Sequence, residues 1–263
     1  MSVRAATYTC TVLRREQLSS QFVRLVLGGP GLADFSSTGI PDEWVALTVP
    51  GQFQTRYYTV RAWDGAELTL DIVVHEHGLV TEWASTDCVG EQVSVSEPKG
   101  SFTMPADAAW LLLVGDLTAL PAVARIMESV SVPVTAWVET PDEPIRGYVD
   151  GAVSWSTPAP GVETATSEIV TSIDWPGGSG YFWMAGESAQ MRAIRKHLMR
   201  ERQLPTSAYD VMGYWRGGGQ QRQPRAVDPG PIWRAGKAAG KSDDQIWADY
   251  DTARDDAARE STP

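Results

Sequence analysis

Gln54-Thr55-Arg56-Tyr57-Tyr58-Thr59-Val60-Arg61 lies between two runs, residues 44–49 and 67–75, in which polar and apolar residues alternate. The stretch is rich in β-branched and aromatic residues, so it reads as a strand. Side chains alternate along a strand, which puts Arg56, Tyr58 and Val60 on one face and Tyr57, Thr59 and Arg61 on the other. Arginine suits a phosphate because its planar fork donates two parallel hydrogen bonds. A tyrosine two residues further on can lie flat against an aromatic ring system. The threonine beside it offers a hydroxyl and a backbone N–H to a ring nitrogen. A phosphate grip, a stacking platform and a ring-edge contact together are what a flavin dinucleotide needs. A plain sheet strand with surface arginines and packed tyrosines accounts for the same eight residues, so the rest of the chain has to decide.

Residues 1–105 carry several more short alternating runs. Tyr8-Thr9-Cys10-Thr11-Val12-Leu13 is one, and Gln21-Phe22-Val23-Arg24-Leu25-Val26-Leu27 is another that stops at Gly28-Gly29-Pro30. Trp63-Asp64-Gly65-Ala66 has the form of a hairpin turn. Glu91-Gln92-Val93-Ser94-Val95-Ser96 ends at Pro98-Lys99-Gly100. Short strands punctuated by Gly, Pro and Asp predict an antiparallel β-barrel. Residues 75–84 break the alternation: Gly78 opens a short helical piece with Thr81 in its first turn. Backbone N–H groups at a helix start attract anions, and a capped surface helix is the plainer account. His75 and His77 have no third ligand at a recognisable spacing, so no metal site is expected.

The pattern changes over residues 106–216. Trp110-Leu111-Leu112-Leu113-Val114 is continuously apolar, as in a buried parallel strand. Gly115-Asp116-Leu117-Thr118-Ala119-Leu120-Pro121 follows, then a helix from Ala122. Strands are predicted over residues 132–138, 164–170 and 181–185, with a helix over 188–202. Strand and helix alternate, which predicts an α/β domain with ligands at the carboxyl ends of its strands. Gly115 to Pro121 and Gly186-Glu187 lie at such ends. No G-x-G-x-x-G is present. Residues 217–263 begin as a Gly- and Gln-rich linker. Ser242-Asp243-Asp244-Gln245 then has the form of a capping box that opens a C-terminal helix.

The 263 residues suffice for two domains. The formal net charge of −11 makes nucleic acid and anionic membrane surfaces poor partners. No apolar run approaches the roughly 18 residues of a membrane span, and the first ten residues lack a signal-type apolar core. Cys10 and Cys88 are too few for a disulfide framework. A cytoplasmic monomer without a structural disulfide is expected. Most of the 11 tryptophans are expected in packing.

The ordered motifs resemble the ferredoxin–NADP reductase superfamily, and within it the siderophore-interacting protein family of flavin-dependent ferric-siderophore reductases. The matching segments are Arg56 to Arg61, Asp71-Ile72-Val73-Val74-His75 with Gly78 to Ala84, Pro98 to Phe102, Gly115 to Pro121, Ala185-Gly186-Glu187 and Gly213-Tyr214-Trp215-Arg216. Each is weak by itself; their order and spacing over roughly residues 8–216 are specific. The resemblance implies an FAD-binding β-barrel followed by an NAD(P)H-binding α/β domain. Arg56 holds the pyrophosphate in this reading, Tyr58 packs on the flavin ring and Thr59 approaches its reactive edge. His75, Gly78 and Thr81 complete the phosphate and ribose contacts; Tyr57, Asp71, Val73 and Val80 fall in the same segments. The family's usual proline after the glycine and serine two residues later are here Leu79 and Thr81, and threonine keeps the hydroxyl. Gly115, Thr118 and Glu187 face the nicotinamide nucleotide, with Asp116 and Ala119 in the same turn. A carboxylate stabilised by a helix N-terminus accounts for Glu187 equally well.

The implied reaction carries electrons from NADH or NADPH through FAD to Fe(III) in a siderophore. Anionic chelates need a locally basic site, for which Arg216, Arg222 and Arg225 are candidates, although a solvated basic linker fits them as well. Trp233, Trp247 and Tyr250 are expected to pack the C-terminal extension. Two other functions fit the same motifs: a general flavin or ferredoxin-type reductase, with ferredoxin as partner, and a non-enzymatic flavin or siderophore carrier.

Overall fold

The computed structural model describes residues 6–51, 55–74, 78–141, 145, 147–159, 161–162, 164–217, 235 and 239. Residues 1–216 form one compact unit and 217–263 another. The first unit contains both sheets.

The barrel begins with two long strands, β1 (Thr7–Ser19) and β2 (Phe22–Gly28), in antiparallel register. β3 (Trp44–Thr48), β4 (Arg56–Trp63), β5 (Leu68–Val73) and β6 (Gln92–Ser96) complete it. The order β1-β2-β5-β4-β3-β6 closes on itself because β6 pairs back onto β1. Alternation fills the interior: Val23, Leu25 and Leu27 of β2 meet Leu68, Leu70 and Ile72 of β5, and Val45, Leu47 and Val60 join them. The β4–β5 connection is the expected turn; Gly65 has φ 96°, and Asp64 Oδ1 accepts the N–H groups of Ala66 and Glu67. A short helix, α1 (Leu79–Ala84), crosses after β5 and places Val80 and Ala84 in the barrel core.

The second sheet is parallel: β7 (Leu111–Asp116), β8 (Val134–Glu139), β9 (Val153–Ser156), β10 (Tyr181–Glu187) and β11 (Tyr209–Trp215), in the order β11-β10-β7-β8-β9. α2 (Leu120–Ser129) packs on one face, and α3 (Thr166–Ser172) with α4 (Ser188–Arg200) on the other. The chain leaves β7 in one direction through β8 and β9, then returns to its other side at β10. That reversal opens a crevice at the carboxyl ends of β7 and β10, where such sheets take ligands. β7 and β10 are buried throughout, as their apolar runs require.

One predicted strand is a helix. Residues 164–170 carry Thr, Ile and Val, which favour strands. The amides that open α3 are instead bonded from outside: Glu139 Oε2 accepts Ala165 N–H at 2.7 Å, and Gln190 Oε1 accepts Ser167 N–H at 2.8 Å. Tertiary partners here override local preference, and β9 forms the edge of the sheet beside β8. No helix among the described residues is long and apolar enough to cross a membrane. The predicted C-terminal helix, with its capping box, Trp233, Trp247 and Tyr250, lies outside the described residues.

Candidate functional site

β4 runs along the junction of barrel and α/β domain. Its inner face is the predicted one: Val60 lies in the barrel core and Tyr58 packs half-buried against it. Burial pushes the Tyr58 phenol well up, and Arg56 pulls it part-way back. On the other face Tyr57 is 68% exposed, while Thr59 is 5% exposed. Arg61 reaches α2 as an ion pair with Glu128. Arg56 starts the strand at the exposed end. The exposed aromatic of this strand is thus Tyr57, next to the predicted ring platform Tyr58.

Thr59 Oγ1 is buried and has no hydrogen-bond partner among the described residues, and the same holds for the Tyr214 hydroxyl on β11. Native structures rarely leave such groups unmade without reason. A ligand whose ring edge carries polar atoms satisfies them, and FAD is such a ligand. Gly78 adopts φ 151° at the start of α1, a conformation that favours glycine. The strand and the glycine turn therefore fit an FAD.

The junction around this strand is tightly built. Asp42 and Glu43, both fully buried, stand just before β3. Asp42 accepts the N–H groups of Ser101 and Phe102 at 2.9 and 3.0 Å, the Ser101 hydroxyl at 2.8 Å and Trp183 Nε1–H of β10 at 3.3 Å. Glu43 accepts from Ser37, Thr38 and, at 3.1 Å, Arg125 of α2, which also donates to Val60 O at 2.7 Å. On the neighbouring strand, Asp71 is buried in a two-pronged pair with Arg24, and the Tyr148 hydroxyl donates to it. Phe22, Val73 and Phe102 of the barrel side pack into the core of the α/β domain. An apolar, hydrogen-bonded junction of this kind holds two domains in one orientation.

Several of the predicted site residues also make contacts within the protein. The Asp71 side chain accepts from Arg24 on both oxygens and from the Tyr148 hydroxyl. Val80 points into the barrel core, and the Thr81 hydroxyl donates to Val73 O at 3.4 Å. A Cβ at Gly115 would lie 2.6 Å from that of Ala119, so this glycine lets β7 and the following turn pack closely. Asp116 accepts the N–H and hydroxyl of Thr118 and Trp215 Nε1–H. Burial raises its pKa, those bonds lower it, and Glu139 raises it again. Glu187 caps α4, accepting from Ala189 and Gln190 at 2.7 and 3.1 Å, so the helix-terminus reading holds for its side chain. Arg216 is exposed just beyond β11. His75, Arg222 and Arg225 lie outside the described residues.

The sequence reading gave no role to Asp42, Glu43, Arg125, Tyr148 or Tyr214. Only Tyr214 had a signal, as part of the Gly213–Arg216 motif. Asp42-Glu43 ahead of a strand looks like surface charge until the fold closes over it.

A closed antiparallel barrel followed by a parallel α/β domain is the two-domain fold of the ferredoxin reductase superfamily. Residues 108–218 match the siderophore-interacting protein family, and residues 52–102 match the siderophore-interacting FAD-binding domain. The chain belongs to the siderophore-interacting protein family, and its barrel is an FAD-binding domain. It is 27% identical over 238 residues to an Escherichia coli NADPH-dependent ferric-chelate reductase, covering 78% of this chain and 91% of that one. It is 26% identical over 175 residues to the ferric vibriobactin reductase ViuB of Vibrio cholerae, covering 62% and 65%. Among solved structures, a siderophore utilization protein from T. fusca superposes with a TM-score of 0.69 at 25% identity, covering 81% of this chain and 94% of the other. The siderophore-interacting protein of Acinetobacter baumannii gives 0.70 at 20% identity, covering 81% and 92%.

Proposed function

We propose that the protein reduces ferric siderophores, taking electrons from NADH, NADPH or a reduced carrier protein and releasing iron as Fe(II). Two relatives bear names of this activity, a ferric-chelate reductase and a ferric vibriobactin reductase. The observation that carries the reading to this chain is the buried, unpartnered Thr59 hydroxyl on the Arg56-Tyr57-Tyr58-Thr59 strand at the domain junction.

Bound FAD supplies the redox chemistry, accepting electrons in pairs and passing them on singly. The protein's part is placement. Arg56 would hold the pyrophosphate by charge-assisted bonds from its fork, with the turn at Gly78 as a second hold. Tyr58 would pack on the ring, and Thr59 would meet its polar edge. The Asp42, Glu43 and Asp71 networks fix the α/β domain against this strand, which sets the approach of a nicotinamide at Gly115 to Ala119. No side-chain acid or base has to act. The iron chelate is the substrate: Fe(II) binds hard oxygen ligands more weakly than Fe(III), so reduction loosens it. An anionic chelate calls for local positive charge in a chain of net charge −11, and Arg216, Arg222 and Arg225 are the residues whose sequence positions suggest it.

The test is the visible spectrum of the purified protein before and after anaerobic NADH and NADPH. Flavin bands that bleach with either donor support the reading. Protein that binds FAD but is bleached by neither points to a carrier protein as donor or to a non-enzymatic role. Protein that cannot take up FAD contradicts the reading.

A further inference from the structure

β4 changes register just after the Arg56–Thr59 stretch. Its pairing with β5 shifts between Val60 and Ala62, so Arg61 is the extra residue of a bulge. Bulges bend a strand and re-aim a side chain, and they are over-represented beside functional sites. Val60 N–H donates to Glu43 O at 2.9 Å, and Val60 O accepts from Arg125 of α2 at 2.7 Å. The same Arg125 nitrogen donates to Glu43 Oε1 at 3.1 Å. Val60, Glu43 and Arg125 thus close a ring of three bonds, two members from the barrel and one from the α/β domain. The Glu43 side chain is fully buried and that of Arg125 is 17% exposed, so salt and water screen this ring little. One helical turn further on, Glu128 accepts from both terminal nitrogens of Arg61, at 2.6 and 3.1 Å. Arg125 and Glu128 are three residues apart and share one face of α2. The bulge of β4 is therefore bound to that helix face at two successive points.

We propose that Arg125 is a positioning residue for flavin reduction: its bonds to Val60 O and Glu43 fix the slide of α2 along β4, and so set the distance between the electron donor and the flavin strand. The proposal rests on the reading above, in which a nicotinamide reduces a flavin at this junction. α2 starts at Leu120, directly after the turn that ends β7 at Asp116. Sheets of this kind take ligands at that end of the strand. Five residues of helix, roughly 7.5 Å, separate Leu120 from Arg125. A helix this short moves as one piece, so the turn follows wherever Arg125 is held. At the other end of the link, Val60 adjoins Thr59 on β4. The apolar face of α2, with Val123 and Ile126, packs into the core of its own domain. Such contacts are non-directional and oppose a slide weakly; hydrogen bonds are directional and oppose it strongly. The Glu128 side chain of the second link is 43% exposed, and exposed ion pairs hold weakly. Arg125 therefore carries the register, and Glu128 supports it.

The test compares Arg125→Met and Arg125→Lys with wild type by stopped-flow flavin reduction over a range of NADH and NADPH concentrations, below the melting temperature of each protein. Arg125→Met is expected to lower the limiting reduction rate roughly 10- to 100-fold, the cost of a misplacement of about 1 Å. FAD affinity and the nicotinamide concentration at half-saturation should stay as in wild type. Arg125→Lys keeps the charge and the donors and should recover most of the rate. A second readout needs no turnover: amide hydrogen exchange of the purified protein without nicotinamide. In Arg125→Met, exchange should rise together in residues 57–62 and 119–123 and stay unchanged in β1 and β2. Because the single variant leaves Glu43 buried without its cation, it can fail to fold. Arg125→Met combined with Glu43→Gln removes both charges and carries the same expected loss. An unchanged limiting rate, a loss that follows weaker FAD or nicotinamide binding, or exchange that rises throughout the chain overturns the proposal, since Arg125 then serves only the fold. Wild-type flavin that neither nicotinamide reduces defeats the donor reading and this role with it; wild-type reduction that the variants leave intact defeats only the role of Arg125.

Discussion

Replacing Tyr148 by Phe isolates one bond across the domain junction. The Tyr148 hydroxyl donates to the buried Asp71 carboxylate, which Arg24 also grips at 2.8 and 2.9 Å. The Arg24 and Arg61 guanidinium groups sit 5.8 and 5.5 Å from the Tyr148 ring centroid, and Phe22 meets the ring edge-on. Phenylalanine keeps all three ring contacts and removes the donor alone. A hydrogen bond to a charged group contributes about 1.5–3 kcal/mol. For a folded unit of this size each kcal/mol moves Tm by roughly 2–4 °C, so a loss of about 3–12 °C is expected. Arg24 still neutralises Asp71, which places the expected loss in the lower half of that range. The assay is thermal and urea unfolding of the FAD-free protein followed by tryptophan fluorescence. Because the bond joins the domains, the variant should also slow flavin reduction by the nicotinamide at unchanged FAD affinity. A stability change within about 0.5 kcal/mol, the scale of an ordinary surface substitution, refutes the claim that Asp71 ties the domains through Tyr148.

Arg56→Ala should weaken FAD binding by roughly 10- to 150-fold, the worth of about 1.5–3 kcal/mol for a charge-assisted contact; full FAD occupancy in the variant removes Arg56 from the pyrophosphate site. Cys10 and Cys88 are free and buried, so the native protein should resist thiol reagents and yield two thiols once denatured without reductant. Burial pushes the Cys10 thiol up to about 12 from a reference of 9.0. The unfolded chain therefore releases that proton first, and stability should fall as pH rises between those values; Cys10→Ala should flatten the fall in urea midpoints across that window. Neutralising Arg216, Arg222 and Arg225 together should raise the KM for ferric siderophore and weaken its salt dependence, since exposed charges are screened over about 8–10 Å at ordinary ionic strength, while FAD content stays unchanged.

The fold was legible because its two halves carry different periods. Residues 8–13, 21–27, 44–49 and 56–61 alternate and became barrel strands, whereas residues 110–114 are continuously apolar and became a buried parallel strand. The failure at residues 164–170 was not legible: only the fold brings Glu139 and Gln190 to the first amides of α3. The site divided in the same way. The Arg56 to Thr59 strand could be read from side-chain types and alternation. Whether Asp71, Asp116 and Glu187 face a ligand or their own backbone and neighbours could not, because one carboxylate in a motif serves either purpose.

The central claim is most directly tested by stopped-flow reoxidation of the reduced flavin under nitrogen, with several ferric siderophores as oxidants and a chromogenic chelator trapping Fe(II). The account predicts that at least one ferric siderophore reoxidises the flavin faster than dissolved oxygen or oxidised ferredoxin does, with trapped Fe(II) appearing in step. If no ferric siderophore outpaces oxygen, the siderophore-reductase reading is wrong and the protein is a general flavin reductase.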